Sequence, residues 1–304
     1  MLLIVAQNLC SLLILILAGY AAAKIKLIND EISAGLSGLL LKLTLPCTII
    51  MSMQREFSWE LLQGGAVVLF ASIIVYVASF FLAVAVCKVF KIKGAARGVW
   101  IFAIMFPNVG YMGFPVLSAV YGEGSLFFVS MNNMVFNILS STWGVKIISN
   151  MENNERLKVK TELRDRNFLP WATGIGFLMF LTSFSLPETI AYSFRALGGM
   201  TTPLSMIIIG ALLAKSSVKS VFSGGYVIAV SRLLVIPALT FLVFSRFVGG
   251  LELGVIVLLA GMPTGAVTAI YAVQYKADTF AAGRAVAITT ILSLLTLPII
   301  SLLY

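Results

Sequence analysis

Two apolar segments of this sequence are interrupted by proline and glycine in a way that frees backbone hydrogen-bonding groups. Residues 101–124 read IFAIMFPNVGYMGFPVLSAVYGEG, with Pro107 and Pro115 flanking Gly110 and Gly113. Each proline lacks a backbone donor and clashes with the turn before it, so no undisturbed helix passes through Pro107. Residues 258–278, LLAGMPTGAVTAIYAVQYKAD, repeat the device with Gly261, Pro263 and Gly265. Such a break offers N–H groups and the positive end of the following half-helix to an anion, and carbonyl groups to a cation. Asn108 adds a side chain that both donates and accepts, and Thr264 is its rough counterpart in the second break. The expected substrate contacts are therefore Asn108 and Thr264, on backbone shaped by Pro107, Gly110, Pro263 and Gly265. Gly113 and Pro115 are expected to be structural. The plainer reading is a pair of kinks that only shape packing.

Other polar residues sit within apolar runs. Ser130, Asn133, Asn137 and Ser141 share one helical face, and Thr289, Ser293 and Thr296 form a weaker counterpart. Such a stripe faces a bundle interior, where Asn133 and Asn137 line a substrate path or bond neighbouring helices. Three cations also lie within apolar runs, namely Lys42, Arg195 and Arg232, with no carboxylate equally deep. A charge at mid-membrane costs about 2.5–3.5 kcal/mol on insertion scales, so each of these needs a reason. The imbalance favours an anionic substrate or carbonyl partners. Lys42, four residues before Pro46, is the candidate substrate contact, Arg232 is structural or gating, and Arg195 belongs at the interface.

Enzyme chemistry finds no support. The chain has no histidine, its three cysteines are unpaired in spacing, and no GxSxG, HExxH or DDxxD-like motif occurs. No metal site and no cofactor are expected. A coupling ion, Na+ or H+, is compatible with the polar inventory, as is uncoupled movement.

These residues need a membrane scaffold to hold them. The 304 residues are 60% hydrophobic and only 11% charged, far from the composition of soluble domains. Their mean hydropathy is +1.04. Apolar runs near 2–23, 31–53, 61–87, 98–120, 125–148, 168–186, 189–214, 222–247, 253–275 and 280–303 predict ten spans and no sizeable soluble domain. The first run lacks a basic residue before it and is expected to be a retained helix rather than a signal peptide.

Of the Lys and Arg residues, sixteen fall in odd-numbered connections, and only Arg55 and Arg246 in even ones. That asymmetry places the odd loops in the cytoplasm and both termini outside, and it accounts for the +9 net charge without a nucleic-acid partner. The polar stretch 150–167 divides the chain into halves of five spans, 1–149 and 168–304. Pro46 and Pro203 are 157 apart, Pro107 and Pro263 156, and Glu123 and Asp278 155. Repeats of five spans must be inserted in opposite orientation, the inverted plan of many secondary transporters. Pro46 and Pro203 are then equivalent structural positions.

FPNVGYMGFPVLSAVYGEGSL resembles the fourth-helix signature of the auxin efflux carrier family, P-N-x-x-x-M-G-x-P followed by Y-G. MPTGAVTAIYAVQYKAD, the closing LPIISLLY, and SRLLVIP with Arg232 before Pro237 are similar to that family's ninth, tenth and eighth helices. The resemblance implies an all-α membrane protein of ten helices in two inverted five-helix repeats. Its broken fourth and ninth helices would cross in a transport domain, a fold shared with bile-acid sodium symporters. It also implies organic-anion substrates, including mono- and dicarboxylates for bacterial members. The short linker is closer to those compact members, and Thr264 stands where many plant relatives carry Gln.

The sequence thus points to a carrier of a small organic carboxylate in a bacterial-type inner membrane, with an anion channel or uncoupled facilitator as the alternative. Its expected partners are that carboxylate, the lipid bilayer and, in a homodimer, a second copy. The topology has a direct check: alkaline phosphatase fused after Tyr304 is active and green fluorescent protein fused there is dark, whereas both fusions behave oppositely after Arg97.

Overall fold

A computed structural model describes residues 2–149, 169–215, 225–275 and 277–301. The expected linker at 150–167, and the first residues of the expected eighth span, lie outside them. The described residues are helical, with a single isolated β-bridge. The helices are α1 (Leu2–Lys24), α2 (Glu31–Met53), α3 (Trp59–Val89), α4 (Gly94–Met105), α5 (Val109–Tyr121) and α6 (126–149). After the linker come α7 (Leu169–Thr182), α8 (Glu188–Ala214), α9 (Tyr226–Phe244), α10 (Gly250–Ala260), α11 (Val267–Gln274) and α12 (Thr279–Ser301).

Among the described residues, α2, α3, α8, α9 and α12 are each long and apolar enough to cross a membrane. This is a multi-pass membrane protein. Of the remaining helices α4, α5, α7, α10 and α11 are shorter, and α1 and α6, like these, lie largely within expected spans. The expected fourth span is divided into α4 and α5, and the ninth into α10 and α11. Wide π-type turns at Leu40–Thr44, Val109–Gly113 and Ser231–Val235 each end two residues before a proline, at Pro46, Pro115 and Pro237. A proline ring needs room against the preceding turn and supplies no donor to close it, so the helix widens there and restarts with proline in its first turn.

The helices form two compact units, each drawing on both sides of the linker. Unit one comprises Met1–Leu69, Gly110–Met134 and Asn167–Lys215; unit two comprises Phe70–Val109, Val135–Arg166 and Ser216–Tyr304.

Within unit one, α1 packs along α8 and α2 along α7. Glycine permits the closest approaches. A Cβ on Gly19 would strike the carbonyl of Ile207, and one on Gly210 the carbonyl of Ile16. On the other pair, a Cβ on Gly176 would lie 3.1 Å from Met53 and 3.4 Å from the Ile50 Cα. Gly19 and Gly176 are 157 residues apart, and so are Ile50 and Ile207, the spacing that separates Pro46 from Pro203. Lipid tails are as apolar as the helices, so association in a membrane depends on such close packing and on interhelical hydrogen bonds. Thr48 of α2 supplies the latter to α8, at 2.7 Å from the Thr201 hydroxyl and donating to the Gly198 carbonyl at 3.1 Å.

Replacing Gly210 by Val is expected to lower stability by about 1–3 kcal/mol through overpacking, read as a fall in melting temperature in detergent. Gly174→Ala, where a Cβ meets nothing within 4 Å, leaves it unchanged.

Candidate functional site

Unit two brings the two breaks together. Helix α4 stops at Met105 because Phe106 precedes a proline, which disfavours helical backbone; its φ of −105° and ψ of 111° are extended. The second break follows the end of α10 at Ala260. The two extended stretches meet as an antiparallel bridge between Pro107 and Thr264. The Asn108 amide donates to the Pro263 carbonyl at 2.8 Å, and the Gly265 amide to the Phe106 carbonyl at 3.0 Å. Backbone groups freed by one proline thus find partners freed by the other, which removes the cost of leaving them bare at membrane depth. Gly265 is required for the approach, since a Cβ there would sit 3.0 Å from the Pro107 carbonyl oxygen.

Two side chains complete the junction. The Thr264 hydroxyl donates to the Ala103 carbonyl in the last turn of α4 at 3.0 Å, and the Thr264 amide donates to the Thr289 hydroxyl at 3.0 Å. Thr289 in turn donates to Ala285 in its own helix, α12, at 2.7 Å. Arg232, on the wide turn of α9, is 1% exposed. Its Nη1 donates to Ile104 at 2.9 Å and Met105 at 3.4 Å, its Nη2 to Ala260 at 2.9 Å, and its Nε to Met262 at 3.0 Å. Ile104, Met105 and Ala260 sit at the C-terminal ends of α4 and α10, whose carbonyls have no intrahelical donor. One guanidinium therefore caps both half-helices.

An aromatic group flanks the junction in the same unit. Phe106 stacks at 4.5 Å from Phe102 and 5.7 Å from Tyr76, and Phe102 lies 5.6 Å from Tyr271. Gly144 of α6 admits the two phenylalanines, for a Cβ would be 2.6 Å from Phe102.

Of the residues expected at a site, Pro107, Asn108, Pro263, Thr264 and Gly265 are gathered here, with Arg232 beside them. Asn108 is 3% exposed and Thr264 fully buried. The Thr264 hydroxyl donates to Ala103 and so ties the second break to α4 like a clasp. Asn137 is buried in the same unit. Gly110, Gly113, Pro115, Asn133, Lys42, Pro46 and Pro203 belong to unit one.

Asn133 is buried, whereas Lys42 is exposed on its helix. Arg195 is paired with Glu188 at the exposed start of α8, so a carboxylate does accompany that cation. The polar face of α6 departs from the expected one at its far end. Ser141 is exposed and bonds back to the Asn137 carbonyl at 2.6 Å, while Ser140 is buried and hydrogen-bonds Tyr271. The wide turn at Ser140–Gly144 rotates the helix there and changes which serine faces inward. Among the described residues no cluster of His, Cys, Asp and Glu could hold a metal ion.

Thr289 is the contact that reasoning from the breaks alone overlooks. A signal for it exists: Asn133 and Thr289, Asn137 and Ser293, and Ser140 and Thr296 are each 156 apart, the spacing of Pro107 and Pro263.

A family profile described as membrane transport protein matches residues 4–301. The chain is 26% identical over 299 residues to an uncharacterized transporter of Methanocaldococcus jannaschii, covering 94% of each chain. It is 24% identical over 303 residues to an uncharacterized transporter of Methanothermobacter thermautotrophicus, covering 96% of each. Uncharacterized transporter YfdV of Escherichia coli is 20% identical over 215 residues, 68% of each chain.

If Thr264 is a clasp, removing its hydroxyl must loosen the junction. Thr264→Val is expected to cost about 1–3 kcal/mol by orphaning the Ala103 carbonyl, and Thr264→Ser to restore most of it, in thermal melts of the purified protein.

Proposed function

The chain belongs to the membrane transport protein family, the family of the auxin efflux carriers that its fourth-span motif resembles, and on that premise we propose that it is a secondary carrier of small organic anions. The substrate class is mono- or dicarboxylates, moved by alternating access across an inner membrane with both termini outside. The observation that carries this reading is the paired break of unit two. Non-helical backbone occurs at two positions 156 residues apart, and the buried charge beside it, Arg232, is cationic and, among the described residues, hydrogen-bonded to carbonyls.

The repeat-related contacts support ten spans in two inverted halves. Gly19 of α1 against Ile207 of α8 has its counterpart in Gly176 of α7 against Ile50 of α2, with one offset of 157 relating both partners. Duplication in opposite orientation accounts for this exchange, because it makes the first helix equivalent to the sixth span and the second to the seventh.

In this reading the Asn108 side-chain amide donates to the substrate carboxylate, while Thr264, Thr289 and Arg232 hold the backbone that presents it. Lys42, exposed on α2, is left to the membrane interface, where a lysine stem lies along apolar surface and its ammonium reaches water. The mutual pairing of the breaks supports a carrier over an open channel, since the freed groups bond each other rather than line a continuous wet path. Coupling to Na+ or H+ and assembly as a homodimer complete the proposal.

Purified protein in liposomes tests it. Saturable uptake of radiolabelled carboxylates is expected under a Na+, H+ or voltage gradient, with Asn108→Ala weakening apparent affinity by about tenfold or more through loss of a hydrogen bond to a charged group. No saturable flux under any of these gradients, or single-channel conductance in planar bilayers, overturns the carrier reading.

A further inference from the structure

We infer that Arg232 sets the charge preference of the crossing, making it a site that favours dianions over monoanions and monoanions over neutral analogues. This inference rests on the carboxylate reading above and assigns its specificity to one residue that touches no substrate.

The argument begins with the ends of helices. Each C-terminus carries about half a negative charge from its unbonded carbonyls. Helices α4 and α10 both end at the crossing, so together they present about one negative charge to whatever binds there, a field that repels carboxylates. Arg232 donates to Ile104, Met105 and Ala260, carbonyls from which that field arises, and to Met262 in the break beyond α10. No carboxylate is among its hydrogen-bond partners in the described residues, so its charge is set against the helix ends and not spent on an acid.

With the negative ends offset, the positive end of α11 is the field that remains at the crossing. On that side the second break runs through Gly265 into α11, which begins at Val267 and whose Thr268 and Ala269 amides donate to Gly265 and Ala266. Met262 and Pro263 are adjacent, and the Pro263 carbonyl receives the Asn108 amide. The guanidinium is therefore one peptide unit removed from the backbone that carries Asn108. Burial at 1% exposure keeps water from screening it.

A residue that only held the helices together would affect all ligands alike. A charge would not, because its Coulomb energy is proportional to the charge of the ligand. The fold-loss for a dianion on removing it is then the square of the fold-loss for a monoanion of similar size.

Calorimetric titration of the full-length protein in lipid nanodiscs at pH 7.5 with butyramide, butyrate and succinate tests this. Wild-type affinity is expected to rise in that order. Arg232→Gln, which keeps a donor to the carbonyls and removes the charge, is expected to weaken butyrate about tenfold and succinate about a hundredfold, leaving butyramide nearly unchanged. Arg232→Lys keeps the order of preference even where it lowers the melting temperature.

Equal losses for all three ligands in Arg232→Gln, or loss of the preference in folded Arg232→Lys, overturns the inference and leaves the carrier reading standing. Should Arg232→Gln fail to fold, the wild-type series and Arg232→Lys still decide, for a wild type that binds butyramide as tightly as succinate also overturns it. Failure of both acids to bind the wild type overturns the carboxylate reading, and this inference with it.

Discussion

A membrane offers broken backbone no water, and the rest of unit two is arranged around that constraint. The breaks at Pro107 and Pro263 each free carbonyl and amide groups at a depth where an unpaired group costs several kcal/mol. They answer one another through a two-bond antiparallel bridge, Asn108 to Pro263 and Gly265 to Phe106. Each break finds backbone partners in the other, so the junction draws on both halves of the chain.

Two further groups convert this mutual bridge into a fixed junction. Arg232 gathers the carbonyls of both half-helices, and Thr264 ties the second break to the last turn of α4. Arg232 comes from the wide turn of α9 and Thr264 from the second break itself, so the irregularities that free the backbone groups also place the groups that satisfy them. A buried guanidinium without a carboxylate is costly in isolation, and here the negative ends of α4 and α10 offset that cost. The anion preference proposed for the junction would have the same origin as its stability.

Much of this was legible in the residues. Proline and glycine density around Asn108 and Thr264 marked both breaks, because proline acts on the backbone locally whatever surrounds it. The spacing of Pro107 and Pro263 suggested that the breaks are related positions, and the structure pairs the two stretches in an antiparallel bridge. A threonine beside a break reads as a ligand from its type alone, and the sequence carries no sign that its hydroxyl donates to Ala103, a carbonyl 161 residues away. Ser141 was read onto a buried face by regular helical spacing, and the wide turn at Ser140–Gly144, which carries no proline to announce it, turned that face aside. Arg232 was recognisable as an anomaly in an apolar span, but its four carbonyl partners come from the ends of two other helices and from the break that follows one of them.

Taken alone, the sequence determined the membrane environment and the positions of the breaks, since hydropathy and proline stereochemistry are properties of short stretches of chain. Tertiary structure decided which freed group meets which, why Thr264 is a clasp, and that Arg232 serves both half-helices. Those outcomes depend on distances between segments remote in the chain, and the orphaned ends of a helix carry no mark in the sequence of what will cap them.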